Sequence, residues 1–365
     1  MAESGVFVAD TEIEWATKVW NFVRGCRRVS PGCGGPNGQG GCYAEKQAYR
    51  FSGPGMPYEG LVRLGKHGPQ WTGVGRFVPE KLAEPLRWRA PRDGSRHRIF
   101  VNSMSDLFFE EFSNEEIAAG FGVMAACPQH DFLILTKRPE RAAEWFKWIA
   151  EDSQQLPALV GAKCPATSSL EGSACLMTAG FKIGRPIGSV RAYENAPWPL
   201  PNVWLGVSVE DQKTADTRVP LLLALPAAVR FVSAEPLLGA IELEDYLSGE
   251  YAPLDWGGAM AEESGPKLDW VIIGGESGNG ARPFDVQWAR DLVNQCADAG
   301  TNYFVKQLGR VPYDSTESDR SSDEPHPDGP GADPSCRLSL SDKKGGDMAE
   351  WPPELRVRQF PEARA

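Results

Sequence analysis

The feature that most constrains the fold is a unit that recurs through the middle of the chain: a short apolar run, a polar cluster and a stretch with helical periodicity. Six of these apolar runs are rich in β-branched residues and alternate little between apolar and polar positions. Such runs are typical of strands buried on both faces of a parallel sheet. The six runs are RIFVNSMSD (98–106), HDFLILTKRP (130–139), NVWLGVSVED (202–211), VRFVSAEPLL (229–238), DWVIIGGESG (269–278) and NYFVKQLG (302–309).

Segments with helical periodicity lie between these runs. In the clearest one, Ser113 and Glu116 predict a capping box for a helix over 114–126. Further helices are predicted over 140–149, over 286–299 with Gly300 as the C-terminal stop, and more weakly over 216–225 because of Pro220. A first strand over 19–24 brings the total to about seven βα units. We therefore predict an α/β fold built as a partial or complete TIM-like (β/α) barrel.

Three stretches interrupt this alternation. Residues 52–78 are rich in Gly and Pro and predict a lid or loop region, and residues 151–199 predict an insertion between the third and fourth strands. Residues 311–347 are rich in Ser, Asp, Pro and Gly, which predicts a mobile surface loop. The predicted organisation is a barrel over 1–310, followed over 311–365 by a flexible loop and a tail that packs on the barrel.

Composition limits the function classes. No run approaches the roughly 18 apolar residues of a membrane helix, and the first residues, MAESGVFVAD, lack the basic start and apolar stretch of a signal peptide. We therefore expect a cytoplasmic protein with no membrane partner. The net charge of −11 disfavours generic binding to phosphate backbones but is compatible with a local basic patch. It is compatible with a small molecule, a nucleotide or a protein partner.

Polar side chains follow the apolar part of each of the six runs. Because the carboxyl ends of parallel strands meet at one rim, these side chains predict a shared pocket there. The alternative is that they only mark turns into helices. The strand ends carry Ser103, Ser105 and Asp106; Thr136, Lys137 and Arg138; Ser208, Glu210 and Asp211; Ser233 and Glu235; Gly274, Gly275, Glu276 and Ser277; and Lys306 and Gln307.

Three of these strand ends suggest specific chemistry. Glu276 lies in GGESG, whose glycines permit close backbone approach, so its carboxylate could accept hydrogen bonds from a ligand amine or ribose or could cap a turn. The segment lacks the GxGxxG spacing of a dinucleotide site. Lys137 and Lys306 could bind a carboxylate or phosphate, act chemically if desolvated, or face solvent.

Three of the eight cysteines cluster near the N-terminus. Cys26, Cys33 and Cys42 have the spacing C-x6-C-x8-C, with a glycine-rich second gap before a helix predicted to start near Tyr43. A [4Fe–4S] cluster held by three thiolates leaves one iron open for a ligand. The alternatives are a Cys3His zinc site that uses His67 and ordinary thiols without metal. The iron–sulfur hypothesis is favoured because no fourth ligand lies nearby.

These residues also carry a family resemblance. The opening IEWATKVWNFVRGCRRVSPGC…CYAE resembles that of a phage-associated family of unknown function with a three-cysteine motif, approximately IEWT-x2-TWNP-x2-GC-x3-S-x-GC-x2-CYAE. The similarity continues in order along nearly the whole chain, apart from 151–199 and the Ser/Asp-rich loop. The later blocks are NSMSDLF, LILTKRPER, NVWLGVSVEDQ, RFVSAEPLLG, DWVIIGGESG-x-GARP, FVKQLG and KKGGDMAEWP.

This family looks like a divergent relative of the radical S-adenosylmethionine (SAM) enzymes, which are partial (β/α) barrels. In those enzymes SAM chelates the open iron of a three-cysteine [4Fe–4S] cluster, and one electron cleaves SAM to a 5′-deoxyadenosyl radical that abstracts hydrogen from a substrate. The usual C-x3-C-x2-C spacing is shorter than the spacing here. A GGE element usually follows the second strand of such barrels, whereas here GGES follows the sixth predicted strand and NSMSD ends the second.

The resemblance implies roles for the rim residues. Lys137, Glu235 and Lys306 would address a substrate such as a nucleotide, a base in nucleic acid or a peptide. A reducing protein would supply the electron, and a three-cysteine-motif protein is an expected partner. Two other hypotheses remain: a redox-sensing iron–sulfur protein, and a barrel hydrolase or lyase using Glu235 and Glu276. The predicted SAM-binding residues are Tyr43, Ser103, Ser105, Asp106, Ser208, Glu210, Gly274, Gly275 and Glu276.

Overall fold

A curled sheet of seven parallel strands forms the centre of the molecule in the computed structural model, which describes residues 11–35, 40–153, 170–187, 197–250, 265–317 and 336–362. The order of the strands across the sheet is their order along the chain. The strands are β1 (Lys18–Trp20), β2 (His97–Val101), β3 (His130–Thr136), β4 (Val203–Ser208), β5 (Val229–Ala234), β6 (Trp270–Gly274) and β7 (Asn302–Gln307).

This strand order confirms the predicted α/β class and is compatible with a partial barrel. The order never reverses, so the sheet curls into a half barrel and all seven carboxyl ends lie on one rim. Within the described residues β1 and β7 form its two edges, and the sheet is open rather than closed into a complete barrel.

Helices connect the strands and cover the outer face. Their bounds are α1 (Tyr43–Arg50), α2 (Pro79–Leu82), α3 (Asn114–Ala125), α4 (Pro139–Ser153), α5 (Leu170–Ile183), α6 (Gln212–Leu223), α7 (Glu244–Ser248) and α8 (Val286–Asp298). The predicted capping box of α3 is confirmed, and Gly300 takes a positive φ of 64° after α8 as predicted. None of the described helices has the length and apolar character needed to cross a membrane.

Two local predictions were wrong. Pro220 does not interrupt α6, because a capping box at Asp211 starts the helix earlier and buried Val219 and Leu222 anchor it on both sides of the proline. The strand predicted over 19–24 is split, since Val23–Arg24 leaves the sheet and pairs antiparallel with Arg76–Phe77. Asn21 makes the split, because its side-chain oxygen accepts the Met104 N–H at 3.1 Å.

The two faces of the sheet carry different cores. The outer face packs against the helices through aliphatic strand residues such as Val207, Val232 and Ile273. The inner face carries an aromatic cluster that fills the half barrel below the rim. This cluster contains Trp15, Phe100, Trp204, Phe231, Trp270 and Phe304, with Phe360 packed against it.

The stretch over 52–78 contains a small antiparallel hairpin, Val62–Gly65 and Gly68–Trp71. Its apolar side chains, including Trp71, pack on the buried face of α1, where Ala44 and Ala48 lie. The predicted lid or loop region is therefore partly a folded hairpin, in which the buried Val62 and Trp71 are paired across the two strands.

The other two interrupting stretches are described in part. Within 151–199, α5 packs on α3 so closely that a Cβ added at Gly122 would lie 2.0 Å from the Cys175 carbonyl oxygen. Residues 154–169 and 188–196 of the predicted insertion lie outside the described residues, as do 318–335 of the predicted mobile loop. After that gap, Trp351 is buried in the main core and Arg358 bridges to Phe304 of β7.

Candidate functional site

The inner face of the half barrel changes from aromatic to polar toward the rim. Side chains two residues apart on a strand share one face, so Ser208 follows Trp204 on this face, and Ser233 follows Phe231. Ser208 and Ser233 are partners in the register of β4 and β5. At the carboxyl end the half barrel therefore has polar walls above an aromatic floor.

Glu235 and Lys306 form an ion pair on this polar wall. The Lys306 Nζ lies 2.6 Å from Glu235 Oε1, and both side chains are about one-sixth exposed, at 17% and 18%. They come from the ends of β5 and β7 and meet beside Gly274 of β6, which has no side chain between them. Of the glycines predicted to allow close approach, Gly275 is the tight one, since a Cβ there would lie 2.4 Å from the Leu308 carbonyl oxygen.

The cysteine loop, defined here as residues 25–35 and 40–42, lies across the rim. It leaves the sheet after β1 and ends where α1 begins, at Tyr43. Side chains from the ends of four other strands, or the backbone beside them, contact the loop or the start of α1. These strands are β2, β3, β4 and β6.

At the end of β3, Arg138 holds the first part of the loop. Its Nη2 donates to the Arg27 carbonyl at 2.9 Å, and its Nη1 lies 3.7 Å from the Cys26 Sγ. Asp106, from the end of β2, orients Arg138 by accepting its Nη1 at 3.1 Å. The same carboxylate also accepts the Thr136 hydroxyl and the Lys137 N–H. Asp106, predicted to bind a cofactor, is therefore bound to protein groups through both oxygens.

At the end of β4, Glu210 holds the middle of the loop. Its buried carboxylate accepts the Ser30 hydroxyl at 2.9 Å, the Lys137 Nζ at 2.6 Å and the Arg218 Nη1 at 3.0 Å. Burial raises the pKa of Glu210, but Lys137 and Arg218 outweigh burial and lower it overall. Gly32 rests directly on this group, since a Cβ there would lie 2.2 Å from the carboxylate oxygen. Lys137, predicted to be catalytic, is thus engaged by Glu210.

At the end of β6, Glu276 holds the last part of the loop. Its carboxylate accepts the Gly41 N–H at 3.0 Å and the Arg282 Nε at 2.9 Å, and Arg282 in turn donates to the Pro31 carbonyl at 2.8 Å. Burial raises the pKa of Glu276, but the Arg282 hydrogen bonds outweigh burial and lower it overall. Glu276 and Arg282 form a clasp that fixes the residues just before Cys42 and Cys33.

The end of β2 contacts the start of α1. The Tyr43 hydroxyl donates to the Ser103 carbonyl, and the Tyr43 side chain is 56% exposed. The Ser103 hydroxyl bonds with the Asn21 side chain, and the Ser105 hydroxyl donates to the Val23 carbonyl at 3.1 Å. These two serines, predicted to bind a cofactor, therefore connect the β1 and β2 ends.

The three cysteines lie in one neighbourhood as free, partly exposed thiols. Burial raises the pKa of Cys26 to about 12 and that of Cys42 to about 11. The negative charges of Cys33 and Cys42 contribute to the raised pKa of Cys26, and that of Cys33 contributes to the raised pKa of Cys42. Three soft thiol donors with no disulfide suit iron–sulfur ligation.

These thiols are not assembled into a finished metal site. Within the described ranges, which omit residues 36–39 between Cys33 and Cys42, no group of three His, Cys, Asp or Glu side chains has the arrangement of a metal site. His67, the ligand of the zinc alternative, is exposed at the turn of the hairpin.

The partners of the rim carboxylates are the residues that sequence reasoning missed. Ser30, Arg218 and Arg282 were not predicted at the site, and Arg138 was predicted at the end of its strand without a role. Ser30 and Arg138 join the loop to rim groups, Arg282 donates to the Pro31 carbonyl, and Arg218 supports Glu210. One signal was present: a carboxylate placed at a buried rim needs a cationic partner, and arginines follow the strand-end clusters in LTKRPER and GARP.

Comparison with known proteins gives a family and no function. No curated protein and no solved structure matches the chain. One family model, described as a protein of unknown function (DUF5131), matches residues 10–335. Because this match covers most of the 365 residues, the chain belongs to the DUF5131 family.

Proposed function

We propose that this chain is an iron–sulfur enzyme of the TIM-like radical SAM type. In this proposal Cys26, Cys33 and Cys42 hold a [4Fe–4S] cluster, and SAM binds at the iron that the three thiolates leave open. The observation that carries the proposal is the position of the cysteine loop. It lies across the carboxyl rim of a sequential parallel half barrel, the place where barrels of this kind build their active sites.

The chemistry of the donor set supports this reading. Three thiolates would ligate three of the four irons. A bound cluster with SAM on the fourth iron would supply one electron for SAM cleavage, which would give a 5′-deoxyadenosyl radical for hydrogen abstraction. The chain's own residues fix the loop: Arg138, Glu210 and the Glu276–Arg282 clasp hold it at three points. Such contacts keep metal-binding side chains oriented.

The polar wall supplies groups for SAM and substrate. Glu235 and Lys306 are predicted catalytic residues that pair with each other, whereas Lys137 is paired with the buried Glu210 that holds the loop. In this proposal they bind polar groups of the substrate, and the hydroxyls of Ser208 and Ser233 lie behind them on β4 and β5. Asp106, Glu210 and Glu276 act instead as supports of the loop, because their oxygens are bound by protein donors.

The test is anaerobic reconstitution of the full chain with iron and sulfide, followed by incubation with dithionite and SAM. We expect about four irons per chain and the release of 5′-deoxyadenosine, measured by chromatography. A cluster that leaves SAM intact would favour a redox-sensing protein. Uptake of one zinc with no iron would contradict both iron-based readings.

A cysteine comparison makes the test specific. Cys33→Ala should abolish iron uptake, because two thiolates cannot hold the cluster. Cys296→Ala is the matched control, since Cys296 is buried in α8 away from the rim. Full iron uptake by Cys33→Ala would contradict the assignment of the cysteine loop.

A further inference from the structure

The charge of the chain is distributed unevenly. Residues 25–77 contain 7 Lys and Arg against 2 Asp and Glu, whereas the whole chain contains 38 against 49. The part of the chain that carries the cysteine loop, α1 and the hairpin is therefore basic, although the protein as a whole is acidic. Exposed basic side chains in this part are Arg27, Lys46, Arg50, Arg63, Lys66 and Arg76.

The same part of the chain exposes large apolar side chains. Of the eight that are strongly exposed among the described residues, seven lie between residues 29 and 74. Exposed aromatic rings beside cationic groups are the elements of a surface on which nucleic-acid bases stack. The seven are Val29, Tyr43, Tyr49, Phe51, Met56, Leu64 and Val74.

Helix α1 arranges some of these groups in a line that starts at the cysteine site. Tyr43, Lys46, Gln47 and Arg50 are spaced i, i+3, i+4 and i+7, so they share one face, and all four are exposed. The opposite face, which includes Ala48, is buried against the hairpin.

The line begins at the mouth of the site. Tyr43 follows Cys42 directly, and its hydroxyl bonds to the Ser103 carbonyl on the rim. A Cβ built on Gly41 would lie 4.0 Å from the Lys46 Nζ, which places this ammonium group beside the residue that precedes Cys42.

We infer that the exposed face of α1, together with the hairpin, is a docking surface for single-stranded nucleic acid. A strand bound along this surface would extend to the rim of the half barrel. Phosphates meet Lys46 and Arg50, and unstacked bases meet Tyr43, Tyr49 and Phe51. This inference deepens the proposed function by naming the substrate class. Only the reaction of the bound strand at the rim rests on that function.

The chemistry selects this occupant over others. A duplex keeps its bases stacked inside and has no use for exposed rings, and an acidic peptide offers charge without flat rings to stack. The acidic remainder of the chain repels polyanions, so binding is confined to the basic part. The overall charge of −11 therefore concealed a local basic surface. Two exposed carboxylates lie at this surface: Glu59 just before the hairpin, and Glu111 beside Gly75.

The first experiment measures fluorescence anisotropy of labelled 20-nucleotide oligo(dT) and oligo(rU) with the full chain at several salt concentrations. We expect binding to at least one strand that weakens steeply with salt, and the two arms identify DNA or RNA as the preferred strand. Duplex DNA and polyglutamate should compete poorly. Equal competition by polyglutamate, or tighter binding of the duplex, would overturn the inference.

Two variants separate phosphate contacts from stacking. Lys46→Ala/Arg50→Ala should weaken binding about tenfold and reduce the salt slope by about 1.4, which corresponds to two phosphate contacts on a single strand. Tyr49→Ala/Phe51→Ala should weaken binding about tenfold with the salt slope unchanged.

The control removes two charges elsewhere. Lys147→Ala/Lys213→Ala, on exposed positions of α4 and α6, should leave the affinity unchanged. If this control weakens binding as much as the α1 pair does, the attraction is not localised and the inference is wrong.

Iron uptake measured on the same samples keeps the two proposals apart: binding without a cluster would refute the proposed function alone, and a cluster without binding would refute the inference alone.

Discussion

The Glu276 Oε2 lies 2.9 Å from the Nε of Arg282, and the other oxygen of this carboxylate accepts the Gly41 N–H. At the scale of single residues the rim repeats a pairing, because a buried carboxylate is paired with an arginine at three strand ends. Glu210 and Glu276 also accept a loop group directly, whereas Asp106 reaches the loop through Arg138. A buried charge is tolerated when it is paired in this way, and removing one partner is costly. The sequence hypothesis that Glu276 binds a ligand amine therefore becomes the proposal that it positions the cysteine loop.

Glu276→Gln tests this role. The amide cannot accept all the hydrogen bonds of the carboxylate, so we expect a loss of about 3 kcal/mol in the free energy of unfolding. Alkylation of Cys42 by iodoacetamide, followed by mass spectrometry, should accelerate because the loop is released. Glu354→Gln is the matched control, since it breaks an exposed pair with Arg290 and should cost less than about 1 kcal/mol. Unchanged alkylation in Glu276→Gln would contradict the clasp.

Gly40→Ala tests the same clasp from the loop side. Gly40 has a φ of 65°, and an added Cβ would lie 2.3 Å from Glu276 Oε1. Gly55 also has a positive φ, of 75°, with no neighbouring atom within 4 Å of such a Cβ. Backbone strain should cost each variant about 1 kcal/mol in unfolding free energy, and Gly40→Ala should cost more because its Cβ meets the Glu276 carboxylate. Only Gly40→Ala should also lose iron uptake on reconstitution, and equal uptake in the two variants would show that the clasp does not matter.

At the scale of elements, the segments that follow β7 are fastened to α8. Arg290 of α8 donates to Asp314 at 2.7 Å and to Glu354 at 2.7 Å. Asp314 is nearly fully buried and also accepts the Thr316 hydroxyl. Burial raises the pKa of Asp314, but Arg290 and Thr316 outweigh burial and hold it below its ordinary value of 3.8.

Asp314→Asn should change how stability depends on pH. Because the folded pKa is depressed, the carboxylate stabilises the fold above the unfolded value of about 3.9, and this contribution is lost as pH falls through the folded value. We expect the variant to be about 2 kcal/mol less stable at pH 7 and to lose less stability than the parent between pH 5 and pH 3. Urea unfolding at several pH values measures both effects. Parallel stability curves for the two proteins would contradict this account.

The elements were largely predictable, and the contacts between them were not. All six predicted runs are strands of one parallel sheet, because strands buried on both faces need dense apolar sequence. The clasp joins Gly41 to Glu276 and Pro31 to Arg282, across 235 and 251 positions of sequence. Nothing local in the chain encodes such pairs. Pro220 shows that local sequence can also mislead. Proline disfavours a helix interior, but the helix continues through Pro220 because the neighbouring side chains are buried.

At the scale of the whole molecule, the half barrel has an aromatic floor, polar walls and the cysteine loop across its rim. The basic face of α1 begins beside that loop, in a chain that is otherwise acidic. The proposed function and the proposed nucleic-acid surface therefore meet at Cys42 and Tyr43. This junction is where a base held on α1 would reach the inner wall that carries Glu235 and Lys306.

The most direct test of the central claim is the EPR spectrum of the reconstituted, dithionite-reduced protein before and after addition of SAM. If Cys26, Cys33 and Cys42 hold a [4Fe–4S] cluster with one open iron, we expect a reduced-cluster signal whose g values shift when SAM is added, because SAM would bind that iron. A reduced-cluster signal that SAM leaves unchanged, or no cluster signal at all, would contradict the central claim.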